Sequence, residues 1–448
     1  MPLIASVSGI RGTVKDALGP EIIAKYVTAF SEMMGNGPII IGRDGRPSGK
    51  AILDQTIDVL TSLGRDVIEI GVVPTPTVQM EILRHSAAGG ISISASHNPA
   101  EWNGLKFLDR TSLFLAPELA GELIQQANNE TSSQYASTES VGNIKHELGA
   151  IAEHVKRVLE LRLIDVPIIR SRKFRVVVDA ENAGGSVAIP AMLEALGCDV
   201  VRLYCDGSGN FPHTPEPLPE NLGDLCRAVL SEKADLGVAV DPDSDRLVLI
   251  TDQGIPFGEE YTIVACVQTV LQKNPGTPVV INLSTTRAVA DVANAFGSTT
   301  YRTPVGEINV ANKMRDCGAL IGGEGSGGVI LAPLHLGRDA LVGCALILQN
   351  LAANNISSTA LRASLPSFFM RKHRIALTSQ SEATTLLDSI AKRFAAEELR
   401  TDDGVHVAIS NGDWIHARVS NTEPIVRVIT EARTAAEAEE LVRRATTA

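Results

Sequence analysis

The chain has 448 residues, a length that at about 150 residues per domain predicts roughly three domains and excludes a single simple core. Forty basic residues against 52 acidic ones give a net charge of −12, and with no Lys/Arg-rich run this makes a nucleic-acid backbone a poor partner. Hydrophobic residues at 44% and charged residues at 21% are the proportions of a folded globular chain, and aromatics at 4% leave little for base stacking. No stretch reaches the ~20 apolar residues that span a bilayer, so no membrane partner is expected. The start, Met1 to Gly12, has a short apolar run and no basic leader, so no secretion signal is expected. The cysteines (Cys198, Cys205, Cys226, Cys266, Cys317, Cys344) form no CxxC pair, which predicts free thiols and a cytoplasmic location.

Along the chain, helical and extended patterns alternate. Pro20 to Met34 reads as an amphipathic helix, Pro38 to Gly42 as a buried strand, Gly49 to Leu63 as a helix, and Asp66 to Gly71 as a strand. Pro76 to Arg84 reads as helical and Gly90 to Ile93 as extended. The Ser/Thr/Asn/Glu-rich segment 126–142 reads as a linker, followed by a helix from about Lys145 to Leu163. A second set follows: strand Phe174 to Asp179, helix Ser186 to Leu196, strand Asp199 to Tyr204, helix Leu222 to Glu232 and strand Leu236 to Val240. A third starts with strand Pro278 to Asn282 and helix Thr286 to Ala295 and closes with a long apolar helix, Asp339 to Ala353. The tail differs: helix Glu382 to Ala395, three short strands (405–410, 414–419, 426–430), then helix Thr434 to Thr446. The expected architecture is α/β: three related α/β domains (1–150, 151–252, 253–366) and a C-terminal α+β domain (367–448).

Several loops carry residues suited to chemistry. Gly89 to Pro99 runs an apolar strand into a loop with Ser94, Ser96, His97 and Asn98, where a serine can serve as nucleophile or phosphoryl carrier; a plain polar turn is the alternative. Asp241, Asp243 and Asp245 alternate directly after a strand, a spacing that lets three carboxylates converge on one hard divalent cation. The loop does not fit an EF-hand, which needs glycine at the position Arg246 fills; open coordination suits Mg²⁺ shared with a phosphate, and Arg246 favours an anionic ligand. Ser420, Asn421, Thr422 and Arg427, with Arg418 just before, supply the hydroxyls, amide and guanidinium a phosphate dianion takes. Gly322 to Gly328 is a glycine-rich loop in which Glu324 and Ser326 can grip sugar hydroxyls. Ser8 to Gly12, with Arg11, and Gly42 to Gly49 set arginines beside glycines, and surface ion pairs are the plain expectation for both.

Taken in order from Ser8 to Glu431, this set resembles the α-D-phosphohexomutase family. The resemblance implies four domains around a central cleft. It implies Ser96 as the serine phosphorylated in the active enzyme, with His97 beside it, and Arg11 and Lys106 near proton transfer. It implies Mg²⁺ held by Asp241, Asp243, Asp245 and Ser96, with Arg246, Glu324, Ser326, Arg418, Ser420, Asn421, Thr422 and Arg427 binding substrate. In many members the sugar loop ends in histidine, whereas here it ends in Gly327-Gly328. The implied activity interconverts hexose 6-phosphates and 1-phosphates through a bisphosphate, with glucosamine phosphate favoured by the Arg302 to Gly306 loop. Mannose or glucose phosphate is the alternative substrate, and a Mg²⁺-dependent sugar phosphatase or a sugar-phosphate or Ca²⁺ binding protein the more distant readings. The expected partners are hexose phosphates, and the expected state is a monomer or homodimer.

Overall fold

The computed structural model describes residues 3–129, 141–377, 380–420 and 425–447. Four sheets follow one another along the chain. The first holds β1 (Ile4–Ser6), β2 (Gly9–Thr13), β3 (Ile39–Arg43), β4 (Val67–Val72), β5 (Gly89–Ile93), β6 (Trp102–Asp109) and β7 (Ile144–His146) in the order β1-β2-β6-β5-β3-β4-β7. Helices α1 (Pro20–Met33), α2 (Gly49–Ser62), α3 (Thr75–His85) and α4 (Pro117–Asn128) cover it. Ile39, Ile40 and Ile41 are all buried, the continuous apolar run expected of a strand enclosed on both faces by helices. The pairs β3–β4 and β3–β5 are parallel, so the loops after β3 and β5 emerge at the same edge.

The second sheet, order β11-β10-β8-β9, is built from β8 (Arg175–Asp179), β9 (Asp199–Tyr204), β10 (Leu236–Val240) and β11 (Leu247–Thr251). It packs with α5 (Ala150–Leu159), α6 (Val166–Arg172), α7 (Gly185–Ala195) and α8 (Gly223–Glu232). The third sheet, order β13-β12-β14-β15-β16, comprises β12 (Val279–Asn282), β13 (Thr300–Thr303), β14 (Ile321–Glu324), β15 (Gly328–Leu331) and β16 (His335–Arg338). Its helices are α9 (Glu259–Lys273), α10 (Ala288–Ala295), α11 (Glu307–Cys317), α12 (Ala340–Asn354) and α13 (Ser358–Ser364). The fourth sheet, β17 (Phe369–Ala376), β18 (Glu398–Arg400), β19 (Val405–Ala408), β20 (Trp414–Val419) and β21 (Ile425–Ala432), is wholly antiparallel in the order β17-β21-β20-β19-β18 and carries α14 (Gln380–Arg393) and α15 (Ala435–Thr446).

One apolar cluster runs from Val155 through the second and third sheets to Phe368, with α12 buried at its centre. The first and fourth sheets have cores of their own. The expected helix over 145–163 is a correction: 144–146 is a strand paired parallel to β4, and helix begins only at Ala150. Pairing with the sheet edge outweighs the helical preference there. Strands β1, β2, β6, β11, β13, β14, β15, β16, β17 and β18 and helices α4, α6, α9, α11 and α13 had no counterpart in the sequence reading. Among the described residues all six cysteines are free, and no single helix is long and apolar enough to cross a membrane.

Candidate active site

The serine loop leaves β5 and enters the cleft held by a buried arginine. Ser96 adopts φ 51°, left-handed backbone that a non-glycine residue takes only when its surroundings enforce it. The enforcement is visible. Arg46, fully buried, uses every guanidinium N–H: Nε donates to Asp44 (3.0 Å), Nη1 to the carbonyls of Pro99 (2.7 Å) and Trp102 (3.1 Å), and Nη2 to those of Ser96 (2.5 Å) and Asn98 (2.7 Å). Asp44 in turn accepts from Ser94 Oγ at 2.7 Å, and Ser94 Oγ accepts from the Ser96 N–H at 2.8 Å. The arginine-rich segment 42–49 is therefore no surface ion pair: Asp44 and Arg46 form a buried brace for the loop, and the surface expectation fails because five backbone and carboxylate acceptors surround one guanidinium. Arg11, likewise, is half-buried and donates to Asn98 Oδ1 at 3.2 Å.

Ser96 Oγ donates to Asp241 Oδ2 at 2.7 Å, and His97 Nδ1 lies 3.4 Å from the same hydroxyl. Serine loop and acidic loop, 145 residues apart, thus meet across the first and second sheets. Asp241, Asp243 and Asp245 are all buried, with ligand oxygens within 4.8 Å of one another. Lys106, on β6, bonds Asp243 at 2.5 Å and Asp245 at 3.3 Å; Thr75 Oγ1 donates to Asp243 at 2.5 Å. Asp243 Oδ1 and Asp245 Oδ1 remain buried without a hydrogen-bond partner. Two orphaned carboxylate oxygens beside a third carboxylate are the donor set of a hard divalent cation, so the residues fit such an ion.

The electrostatics follow from crowding. Burial, then Asp245 and Asp243, push the Asp241 carboxyl well above its ordinary range. Arg246, burial and Arg11 hold His97 well below its ordinary value, in the neutral form. Burial opposes charge on Lys106, yet Asp243 and Asp245 raise its pKa. Arg11 is lowered by burial, by Arg246 and by Arg427, which brings the fourth sheet's arginine into the field of the serine loop. Glu216, from the loop after β9, lies 3.9 Å from His97 and 3.7 Å from Arg246.

On the third sheet, Glu324 accepts from Asn282 Nδ2 (2.8 Å), the Gly306 N–H (3.1 Å) and Arg338 Nη1 (2.7 Å). Arg338 also reaches Glu307 (3.0 Å) and Asp245 (2.7 Å). Burial pushes Glu307 up to about 7 against the pull of Arg338. Ser326 is half-buried at the turn beyond Glu324. The 302–306 loop bears on the same carboxylate through Gly306, while the Val305 N–H donates to Asp403 of the fourth sheet at 2.8 Å.

Asp403 also receives Arg418 Nε at 3.0 Å. Arg418 on β20 lies directly opposite Arg427 on β21, and Arg427 opposite Arg374 on β17, so three arginines stand abreast on one face. Like charges in adjacent register repel, a cost that anionic partners such as Asp403 offset. Ser420 is buried beside them, its N–H bonded to the Ile425 carbonyl at 2.9 Å. Asn421 and Thr422 lie outside the described residues. Sequence reasoning missed Arg46, Asp44, Arg338, Glu307, Asp403 and Arg374. Only register could have found Arg374, and only the match of its charge to three distant carboxylates could have found Arg338.

Comparison with known proteins agrees with this layout. Family models described as phosphoglucomutase/phosphomannomutase α/β/α domains I, II and III match residues 3–134, 152–254 and 258–368, and the family's C-terminal domain matches 375–448. The chain is 33% identical over 437 residues to a probable phosphoglucosamine mutase of Methanopyrus kandleri, covering 97% of this chain and 95% of that protein. It is 32% identical over 438 residues to a phosphoglucomutase/phosphomannomutase of Thermococcus kodakarensis, covering 96% and 95%. A crystal structure of a phosphoglucomutase/phosphomannomutase family protein from Burkholderia thailandensis superposes with a TM-score of 0.85 at 27% identity, covering 99% of this chain and 97% of that one. With all four family domains present in order and relatives matched nearly end to end, the chain belongs to the α-D-phosphohexomutase family and is a phosphohexomutase.

Proposed function

We propose that this phosphohexomutase interconverts glucosamine 6-phosphate and glucosamine 1-phosphate, with Ser96 as phosphoryl carrier and Mg²⁺ as the ion of the acidic loop. The observation that carries the chemistry is the 2.7 Å hydrogen bond between Ser96 Oγ and Asp241. It sets the carrier hydroxyl at the edge of the carboxylate cluster, where Asp241, Asp243, Asp245 and Ser96 would hold the ion. When bound, Mg²⁺ neutralises charge on the transferring group.

The residues divide the remaining work. The P–O bond to Ser96 breaks as a P–O bond to the free sugar hydroxyl forms, and the displaced proton needs a nearby acceptor. The leaving Ser96 oxygen takes up a proton in the same step, and we assign His97, whose Nδ1 lies 3.4 Å from Ser96 Oγ, to that serine side of the exchange. Arg11, Lys106 and Arg246 surround the transferring group with positive charge. Glu324 and Ser326 read sugar hydroxyls. Arg418, Ser420, Asn421, Thr422 and Arg427 hold the phosphate that is not reacting, and the bisphosphate reverses in the cleft to return its other phosphoryl group. Holding one phosphate on a separate domain leaves the other free to reach Ser96.

The glucosamine reading is supported by the relative of that name in Methanopyrus kandleri and by a second in Pyrococcus abyssi. The Thermococcus kodakarensis relative favours glucose and mannose phosphates as a second reading. We assign the four domains to 1–150, 151–252, 253–366 and 367–448, and a cytoplasmic monomer or homodimer to the protein. A ³¹P NMR assay of 1-phosphate formation from glucosamine, glucose and mannose 6-phosphates tests the function. Glucosamine should give the highest kcat/KM. A higher value for either other sugar overturns the substrate, and release of inorganic phosphate without isomerisation overturns the reaction in favour of a phosphatase.

A further inference from the structure

Arg338 touches both the acidic loop and the sugar loop. It ends β16, and its side chain crosses β15 over Gly328. A Cβ on Gly328 would overlap the Arg338 Cδ, so the arginine takes this path only because residue 328 has no side chain. Beyond that crossing the guanidinium forks three ways: Nη2 to Asp245 at 2.7 Å, Nη1 to Glu324 at 2.7 Å, Nε to Glu307 at 3.0 Å. The three carboxylates belong to the loop before β11, to β14 and to the first turn of α11. A planar guanidinium with fixed donors can satisfy this arrangement; an ammonium cannot.

We propose that Arg338 is the positioning residue that couples the acidic loop to the sugar loop, its charge opposing the divalent ion at Asp245 while it fixes Glu324 for the sugar. The inference rests on the functional reading above. The guanidinium occupies Asp245 Oδ2 and leaves Oδ1 for the ion, so two cations lie at one carboxylate and each weakens the other's hold on it. Arg338 keeps Glu324 and Glu307 in either condition. Ion loading at one loop thereby loosens the guanidinium that also holds the carboxylate of the other.

The coupling predicts an unusual sign. A residue that merely supports the fold weakens ion binding when removed, whereas removal of a competing cation tightens it. Titration calorimetry of substrate-free protein with Mn²⁺ should give a dissociation constant about fivefold to tenfold lower for Arg338→Gln than for the parent chain. Arg338→Lys should keep a competing charge and hold the ion affinity near the parent value. Both variants should raise KM for the sugar phosphate with a smaller change in kcat, because Glu324 loses its fixed partner. Gly328→Ala, which displaces Arg338 without altering it, should tighten Mn²⁺ binding in the same direction and serves if Arg338→Gln does not fold. Unchanged or weaker Mn²⁺ binding in Arg338→Gln and Gly328→Ala overturns the coupling. Asp245→Asn is the control for the underlying reading: if it leaves Mn²⁺ affinity intact, the acidic loop is not the ion site, whatever Arg338 does.

Discussion

The second and third sheets are joined by hydrocarbon, the fourth sheet by polar contacts. Helix α12 lies in one apolar cluster with side chains of both middle sheets, and Val342, Leu346 and Ile347 are wholly inaccessible to water. The fourth sheet keeps its own core of Val407, Ile415, Val426 and Val428. It meets the rest through Lys372 to Glu259 (2.5 Å), His416 to Ser284 (2.8 Å), Asp403 to the Val305 N–H (2.8 Å) and Glu431 to the Arg287 N–H (2.9 Å). A dry core does not slide, because its packing is specific to one arrangement. A polar contact can trade partners with water at a net cost of about 0.5–1.5 kcal/mol each. The acidic and sugar loops thus stand on one fixed support, while the three arginines of the fourth sheet stand on a part able to move.

The contrast can be broken in order of effect. Ser96→Ala removes the proposed phosphoryl carrier, and turnover should fall by about 10⁴-fold or more with the melting temperature nearly unchanged. Steady-state kinetics beside a calorimetric scan decide it; residual activity near that of the parent chain would remove Ser96 from the mechanism. Leu346→Ala opens a cavity in the shared core and should cost about 2–5 kcal/mol. Because the core is common, the second and third domains should still melt in one transition, whereas Val428→Ala should lower only a transition belonging to the fourth. Two separate shifts from Leu346→Ala would show that the middle domains are not joined as described.

Arg427→Ala should lower kcat/KM roughly tenfold to a hundredfold, about equally for glucosamine, glucose and mannose phosphates, since the clamp reads phosphate alone. A reordering of the sugars by this variant would give Arg427 the role assigned to Glu324. Asp403→Asn keeps the shape but weakens the hold on Arg418 and the 302–306 loop; KM should rise about threefold to tenfold, and small-angle scattering should report a wider particle. No change in either would mean the fourth domain docks by other contacts.

The smallest effect concerns a loop of the second domain. Burial opposes charge on His213, but hydrogen bonds to Asp179 and Glu181, each at 2.9 Å, raise its pKa to about 11. A pKa raised on folding gives stability that is full below the unfolded value near 6.5 and fades as pH climbs toward 11. The His213→Ala deficit should therefore be about 1–2 kcal/mol at pH 6, well under the full conversion because the ring is partly solvated, and narrow steadily to pH 10. A deficit that widens over this range would contradict the pairing.

What the sequence made legible was the set of loops that leave buried strands. Gly89 to Ile93 and Leu236 to Val240 are apolar runs that end abruptly in Ser, His, Asn and Asp, and that change of chemistry marks where a strand meets a cleft. The strands carrying Lys106 and Arg338 were not legible. Trp102 to Asp109 is buried along nearly its whole length, so it shows no alternation, and His335 to Arg338 is too short to show any. Arg338 and Arg46 look alike as lone arginines near glycine, yet one bridges carboxylates from three elements and the other braces carbonyls of a single loop. Nearest-neighbour chemistry in the chain holds no trace of partners 53 or 93 residues away. The arginine row of the fourth sheet is a matter of register, which a strand reveals only once its neighbours are known.

Arg46 has a consequence for how the phosphate's charge is met. All five of its N–H groups are already engaged, and Phe211 caps the guanidinium face at 4.8 Å. The cation nearest in sequence logic to an anion site is therefore deaf to the anion: it can neither turn toward a phosphoryl oxygen nor be neutralised by one. None of these bonds involves the Ser96 hydroxyl, so the phosphorylation proposed there would add charge to the loop without removing any of the bonds that brace it. Exchange of Arg46 for lysine would strand at least two of the five acceptors and loosen the mount.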